Sequence, residues 1–324
     1  MQVKKTKRRY RSVLNWALWA LLAQFILVNI SASLHAYKLT HLHSPGPDTW
    51  TKPASQNIFV RTWRLFSGVT LYRQVLTGKP SFPVSTVLLK TKNNIAVEAW
   101  YSRADSAAKG TVILFHGLMG HKGLITDEAE AFRNLGYNVM MVDVRDHGNS
   151  GGNVTTMGYR EAEEVKLAYD NILQTGEKNI FLWGASLGAV EIIKAVSDYQ
   201  LSPSGIIVEI PFLSLQSHLE GRARVMGFPG QPFGFLTSFW IGVEQGFAGW
   251  GFRTADYAKN VHCPVLMQYG NRDQLVLQYE TNEIYEAIGT TNKKLVTYND
   301  AGHGSFLKYD PATWNMEVKA FLNE

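Results

Sequence analysis

From Val84 onward, short uninterrupted apolar runs alternate with segments of helical length. Strand-like runs fall at 84–90, 94–101, 111–115, 138–144, 179–183, 205–209, 264–269 and 294–298. Between the later ones lie helix-length segments at 122–135, 158–175, 187–199, 277–288 and 311–322. Runs such as TVILF and GIIVE are apolar at every position or nearly so, the pattern of strands buried on both faces. Two neighbouring strands followed by strand–helix alternation predict an α/β fold: a mostly parallel sheet flanked by helices. One interval breaks the rhythm. Residues 211–260 carry eight glycines and ten aromatic residues with few charges. Fifty residues is too long for a plain connection, so this interval is expected to form a cap over the sheet edge.

The N-terminal pattern differs in kind. Ser12 to Leu34 contain no formal charge, and the 18 residues Val13 to Ile30 are dense in apolar side chains. As a helix those 18 residues rise about 27 Å, close to the roughly 30 Å hydrocarbon thickness of a bilayer. Six bases precede them: Lys4, Lys5, Lys7, Arg8, Arg9 and Arg11. A cleaved signal peptide is the rival reading, with Ser31-Ala32-Ser33 as its small-residue site. The apolar stretch exceeds the usual 7–15 residues of such a peptide, which favours an uncleaved signal-anchor. The positive-inside rule then leaves the N-terminus cytoplasmic and the rest of the chain on the other side, in a periplasm, a lumen or the extracellular space. The expected organisation is a basic arm (1–11), a transmembrane helix (12–34), a juxtamembrane segment (35–83) and a catalytic domain (84–324) with a cap insertion (211–260). The juxtamembrane segment holds Pro45, Pro47, Pro53, Pro80 and Pro83, with an amphipathic helix expected near 57–77.

Charge changes the picture once it is mapped. The net charge of +5 and the isoelectric point near 9.1 arise in residues 1–47, which hold seven bases and no acid, leaving 25 bases against 27 acids elsewhere. The folded body is therefore slightly acidic and offers no case for nucleic-acid binding. The single cysteine, Cys263, rules out an intrachain disulfide and argues against a cysteine metal site. No H-E-x-x-H, paired C-x-x-C or G-x-x-x-x-G-K-[ST] occurs, so neither a zinc peptidase nor a P-loop protein is indicated, and no cofactor or metal is expected.

Chemistry concentrates where strands end. Gly184-Ala185-Ser186-Leu187-Gly188 joins the strand-like NIFLW to the helix-like LGAVEIIKAV. A serine on a tight strand-to-helix turn, with glycine two residues away on each side, exposes its hydroxyl as a nucleophile. Such a hydroxyl needs a base held by an acid, in the chain order Ser, acid, His. His303, in NDAGHGSF after the last strand, is the candidate base, ahead of His218 in the cap and His262 before a strand. Asp273, in QYGNRDQLV, is the candidate acid, with Glu209 as a rival and Asp300 set aside as too near His303. The backbone N–H groups of Leu187 and of Leu118, in FHGLMGHKG, are the candidate oxyanion donors. His116 is expected to fix that loop.

These residues together resemble the α/β-hydrolase superfamily across about residues 84–324. The matching pieces are His116-Gly117, DVRDHGNSGG, GASLG, Gly270 to Asp273 and Gly302-His303. The run Asp143 to Ser150 is similar to the serine aminopeptidase and monoglyceride-lipase-like branch. Where that branch has glycine, this chain has Asp146, a departure expected to affect a surface turn. The resemblance implies hydrolysis by Ser186, His303 and Asp273 without specifying a substrate. The leading expectation is a membrane-anchored serine hydrolase of carboxylic esters or thioesters, acting on a small acyl or lipid-like molecule. A serine peptidase is the alternative; it would need a cap carboxylate, Glu220 or Glu244, for a substrate amine. A non-catalytic tethered binding protein is the third reading.

Overall fold

The computed structural model describes residues 2–43, 57–105, 107–227 and 229–323. Pro45, Pro47, Pro53 and Trp50 of the segment expected to be juxtamembrane lie outside the described residues, as do the side chains of the basic arm up to Tyr10. Two helices lead: α1 (Gln2–Thr40) and α2 (Ile58–Ser67). Eight strands follow, β1 (Ser85–Lys90), β2 (Ala96–Ser102), β3 (Thr111–Phe115), β4 (Asn138–Val142), β5 (Ile180–Ala185), β6 (Gly205–Glu209), β7 (Val265–Gly270) and β8 (Lys293–Tyr298). The intervening helices are α3 (Thr126–Asn134), α4 (Ala162–Leu173), α5 (Leu187–Tyr199), α6 (Leu215–Val225), α7 (Phe233–Gln245), α8 (Thr254–Ala258), α9 (Gln278–Ala287), α10 (Phe306–Tyr309) and α11 (Pro311–Leu322).

The strands form one sheet in the order β1-β2-β4-β3-β5-β6-β7-β8. β1, β2 and β4 pair antiparallel, and every pair from β4 to β8 is parallel. Side-chain alternation along each strand feeds two cores. Ile113, Phe115, Leu182 and Val208 face α4, α5 and α8. Val112, Leu114, Trp183 and Leu266 face α3 and α11, where Phe132 and Trp314 meet edge to face at 5.5 Å. Both faces are covered, as the unbroken apolar runs require.

The interval 211–260 divides. α6 and α7, the part expected to form a cap, pack on each other, whereas α8 returns to the helix layer against α5 and α9. The helix expected near 57–77 is shorter than its apolar content suggests. It ends at Ser67 because Gly68 takes φ 78°, a left-handed conformation that stops the helix.

α1 has two differently packed parts. Around Trp16, Trp19 and Phe25 its apolar side chains are exposed, and the helix is long and apolar enough to cross a membrane. Its last turns are docked: Ala32, Ala36 and Leu39 are buried, α7 packs along them, and Trp240 donates its indole N–H to Asn29 Oδ1 at 3.2 Å. Beyond α1 the chain is tied down by Asp146. This residue does not sit on a surface turn, correcting the sequence expectation. It is fully buried at φ 61°, and its carboxylate accepts from the Leu42 amide at 3.0 Å and pairs with Arg73 at 2.6 Å. Aspartate tolerates the left-handed backbone that suits glycine, and here it also supplies a carboxylate that holds the N-terminal segment.

Candidate active site

The turn after β5 sets the geometry. Ser186 is held at φ 53°, ψ −110°, outside the ordinary regions for a side-chain-bearing residue. Its amide is fixed by the Glu209 carbonyl at 2.8 Å. The flanking glycines are steric necessities: a Cβ on Gly188 would lie 2.3 Å from the Phe115 carbonyl oxygen, and one on Gly184 2.6 Å from the Gly188 carbonyl carbon. α5 can therefore start directly against β3 and β5, which sets the serine hydroxyl at the carboxyl end of the sheet.

Two other strand ends converge there. Ser186 Oγ lies 3.1 Å from His303 Nε2, and His303 Nδ1 lies 2.6 Å from Asp273 Oδ2. Ser186 follows β5, Asp273 follows β7 and His303 follows β8, so all three stand on loops at one edge of a rigid sheet. Asp273 is buried, and its other oxygen caps the Leu275 and Val276 amides at 2.7 and 2.9 Å. That clamp fixes the carboxylate, and the carboxylate fixes the imidazole.

The rival acids are engaged elsewhere. Asp300 is exposed and pairs with Arg272 at 2.5 Å. Glu209 is buried behind the serine turn, where the Trp183 and Trp314 indoles both donate to its Oε1, at 3.0 and 2.7 Å. Burial pushes its pKa up to about 8. A raised carboxyl pKa means the folded chain holds the proton more tightly, so this contribution to stability is complete below pH 4.5 and is lost as pH rises through 8. Glu209→Gln keeps an acceptor for both indoles and never ionises. Its thermal midpoint, measured against pH, is expected to match the parent near pH 4.5 and to rise progressively above it toward pH 8. The underlying slope is at most about 1.4 kcal/mol per pH step; parallel curves would contradict the assignment.

The loop after β3 faces the same point. The amides of Leu118 and Leu187 donate to no acceptor among the described residues, whereas the neighbouring Met119 amide donates to His147 Nε2 at 3.1 Å. His147 donates from Nδ1 to the Arg145 carbonyl at 2.9 Å, so a neutral ring satisfies both contacts, and burial lowers its pKa to about 4. His116 is likewise buried, with Nδ1 2.8 Å from the Gly117 carbonyl. Asp143 joins the two loops, accepting from the Lys122 amide at 2.6 Å, the Lys122 ammonium and the Asn149 amide at 2.8 Å. The run Asp143 to Ser150 thus frames the loop carrying Leu118; His147 is the residue in it whose part was not legible, although the motif itself marked the place.

A family model described as serine aminopeptidase, S33, matches residues 106–233, a stretch that includes Ser186 and stops short of Asp273 and His303. The Pyrococcus furiosus esterase Pf2001 superposes with a TM-score of 0.63 at 27% identity, over 78% of this chain and 97% of that one. The chain belongs to the α/β-hydrolase superfamily. Est1E from Butyrivibrio proteoclasticus, solved with ferulic acid, shares the hydrolase fold at TM-score 0.57 and 18% identity, over 73% of this chain and 98% of that one. An uncharacterized membrane protein of Saccharomyces cerevisiae is 24% identical over 248 residues, covering 75% of this α/β-hydrolase and 80% of its own length.

Proposed function

We propose that this α/β-hydrolase is a membrane-anchored serine hydrolase of carboxylic esters or thioesters. The observation that carries the reading is the unbroken relay of Ser186 Oγ, His303 and Asp273 at 3.1 and 2.6 Å. In this reading His303 Nε2 takes the Ser186 proton as Oγ attacks the acyl carbon. The developing oxyanion is received by the Leu118 and Leu187 amides, each such donor contributing roughly 10²–10³ in turnover. His303 then protonates the leaving alcohol or thiol, and a water activated by the same imidazole releases the acyl group. No metal or cofactor takes part.

The peptidase alternative has weaker support, because both candidate amine anchors already hold hydrogen-bond donors. Glu220 already accepts from Gln216 at 2.8 Å and from Gln231, and Glu244 accepts from Ser33 Oγ at 3.1 Å on α1. Residues 84–324 form the catalytic unit in this scheme, with α1 as the anchor and the basic arm cytoplasmic. The exposed apolar residues Phe59 and Trp63 of α2, beside α1, suit a membrane surface. One experiment addresses both halves of the reading. Carbonate-washed membranes from expressing cells should contain a fluorophosphonate-labelled band near 36 kDa, and the detergent-extracted protein should hydrolyse p-nitrophenyl acyl esters far faster than aminoacyl p-nitroanilides. Label in the soluble fraction would count against the anchor; anilide preference would count against the esterase.

A further inference from the structure

The cap helix α6 lies on the loop that carries Asp273. Gly221 packs so closely on it that a Cβ there would come within 2.1 Å of the Leu275 carbonyl oxygen, and Arg224 Nε donates to the Gln274 carbonyl at 2.9 Å. Two side chains one turn apart on α6, His218 and Arg222, share a face of this docked helix. His218 is buried, its ring against Phe212 at 4.6 Å, and neither ring nitrogen has a hydrogen-bond partner. The charges that act on it are those of Arg222 and of His303, so both lie within electrostatic reach of its ring. Arg222 is only partly exposed, and among the described residues its guanidinium makes no hydrogen bond and no ion pair. Burial alone displaces its pKa, downward, with no carboxylate offsetting it.

A partly buried arginine without a counter-ion and a buried imidazole with both nitrogens idle are each costly to keep. Their cost is offset when an oxyanion enters, since guanidinium donors match carboxylate and phosphate geometry. Resting on the hydrolytic reading of Ser186, we propose that Arg222, assisted by His218, is an anion-binding subsite, so that the preferred ester carries a carboxylate or phosphate group beside its scissile bond. The fold thereby selects against the cationic substrates an aminopeptidase would take.

Two pairs of substrates distinguish the source of the anion. p-Nitrophenyl hydrogen glutarate against p-nitrophenyl valerate places a carboxylate on the acyl side; a 1-acylglycerol 3-phosphate against the matching monoacylglycerol places a phosphate on the alcohol side. In at least one pair kcat/KM for the anionic member should exceed that of its neutral partner by roughly ten- to a hundredfold. Arg222→Gln should collapse that ratio toward one and Arg222→Lys should keep part of it, whereas a merely structural defect lowers both members and preserves the ratio. The thermal midpoint of Arg222→Gln should stay level or rise, because an uncompensated cation is removed. Calorimetric titration of glutarate and of glycerol 3-phosphate into both proteins reads the subsite without turnover. Anion binding lost in Arg222→Gln, in a protein that cleaves no ester, would sink the hydrolytic reading and keep the subsite. Equal turnover of both members in each pair, an unchanged ratio in the variant, or no anion binding by the parent would overturn the subsite itself.

Discussion

Ser186→Ala is expected to remove ester hydrolysis and fluorophosphonate labelling together, with a loss of roughly 10⁶ in turnover. The size follows from the role proposed for the hydroxyl. Without it there is no acyl-enzyme, and His303 has no nucleophile to activate, so only the residual help of the Leu118 and Leu187 amides and of substrate binding remains. Folding should be little affected. Ser186 Oγ has His303 as its partner, and the positive φ at this position is imposed by the close approach of α5 to β3, which alanine inherits unchanged. The measurement is therefore paired: probe labelling and p-nitrophenyl ester turnover on one side, thermal midpoint on the other. Retained labelling at an unchanged midpoint would show that another residue is the nucleophile and would remove the basis of the proposed reaction.

The parts of this molecule that could be read from sequence are those set by local rules. The strands at 111–115 and 205–209 and the helices at 187–199 and 311–322 have the bounds their patterns predict, because burial on both faces leaves a strand few polar positions and a tight turn or proline fixes where the helix begins. The Ser, acid, His order of the proposed relay could be sought in the same way, although spacing alone did not separate Asp273 from Glu209. That choice depends on the two indoles that hold Glu209 behind the sheet, a long-range packing event. Asp146 was misjudged for the same reason: its partners Leu42 and Arg73 are about a hundred and about seventy residues away in the chain. The unpartnered state of Arg222 and His218 was beyond any pattern, since it depends on how α6 docks on the Asp273 loop. The division of α1 into an exposed apolar length and a docked end likewise required α7 to be in place.

Asp273→Asn should lower kcat by roughly 10³–10⁴ while leaving stability nearly unchanged, and the reason lies in which atoms the carboxylate uses. Oδ1 accepts from the Leu275 and Val276 amides and Oδ2 faces His303 Nδ1. In the asparagine variant the two backbone amides select the carbonyl oxygen, because an NH₂ group cannot accept from them. The side-chain NH₂ is then presented to His303 Nδ1, which must accept. The imidazole is thereby locked with its proton on Nε2, the nitrogen 3.1 Å from Ser186 Oγ, and a protonated Nε2 cannot take the serine proton. The tautomer is wrong although every heavy atom stays in place, and a loss near 10⁴ is the size seen where this substitution isolates that effect. Kinetics and a melting curve on the same preparation decide it. A large fall in kcat with a level midpoint supports Asp273 as the residue that orients the base, whereas a fall in both would mean that its main service is to cap the 275–276 turn. Near-normal turnover would separate the carboxylate from the chemistry, leaving a Ser–His pair to be explained without it.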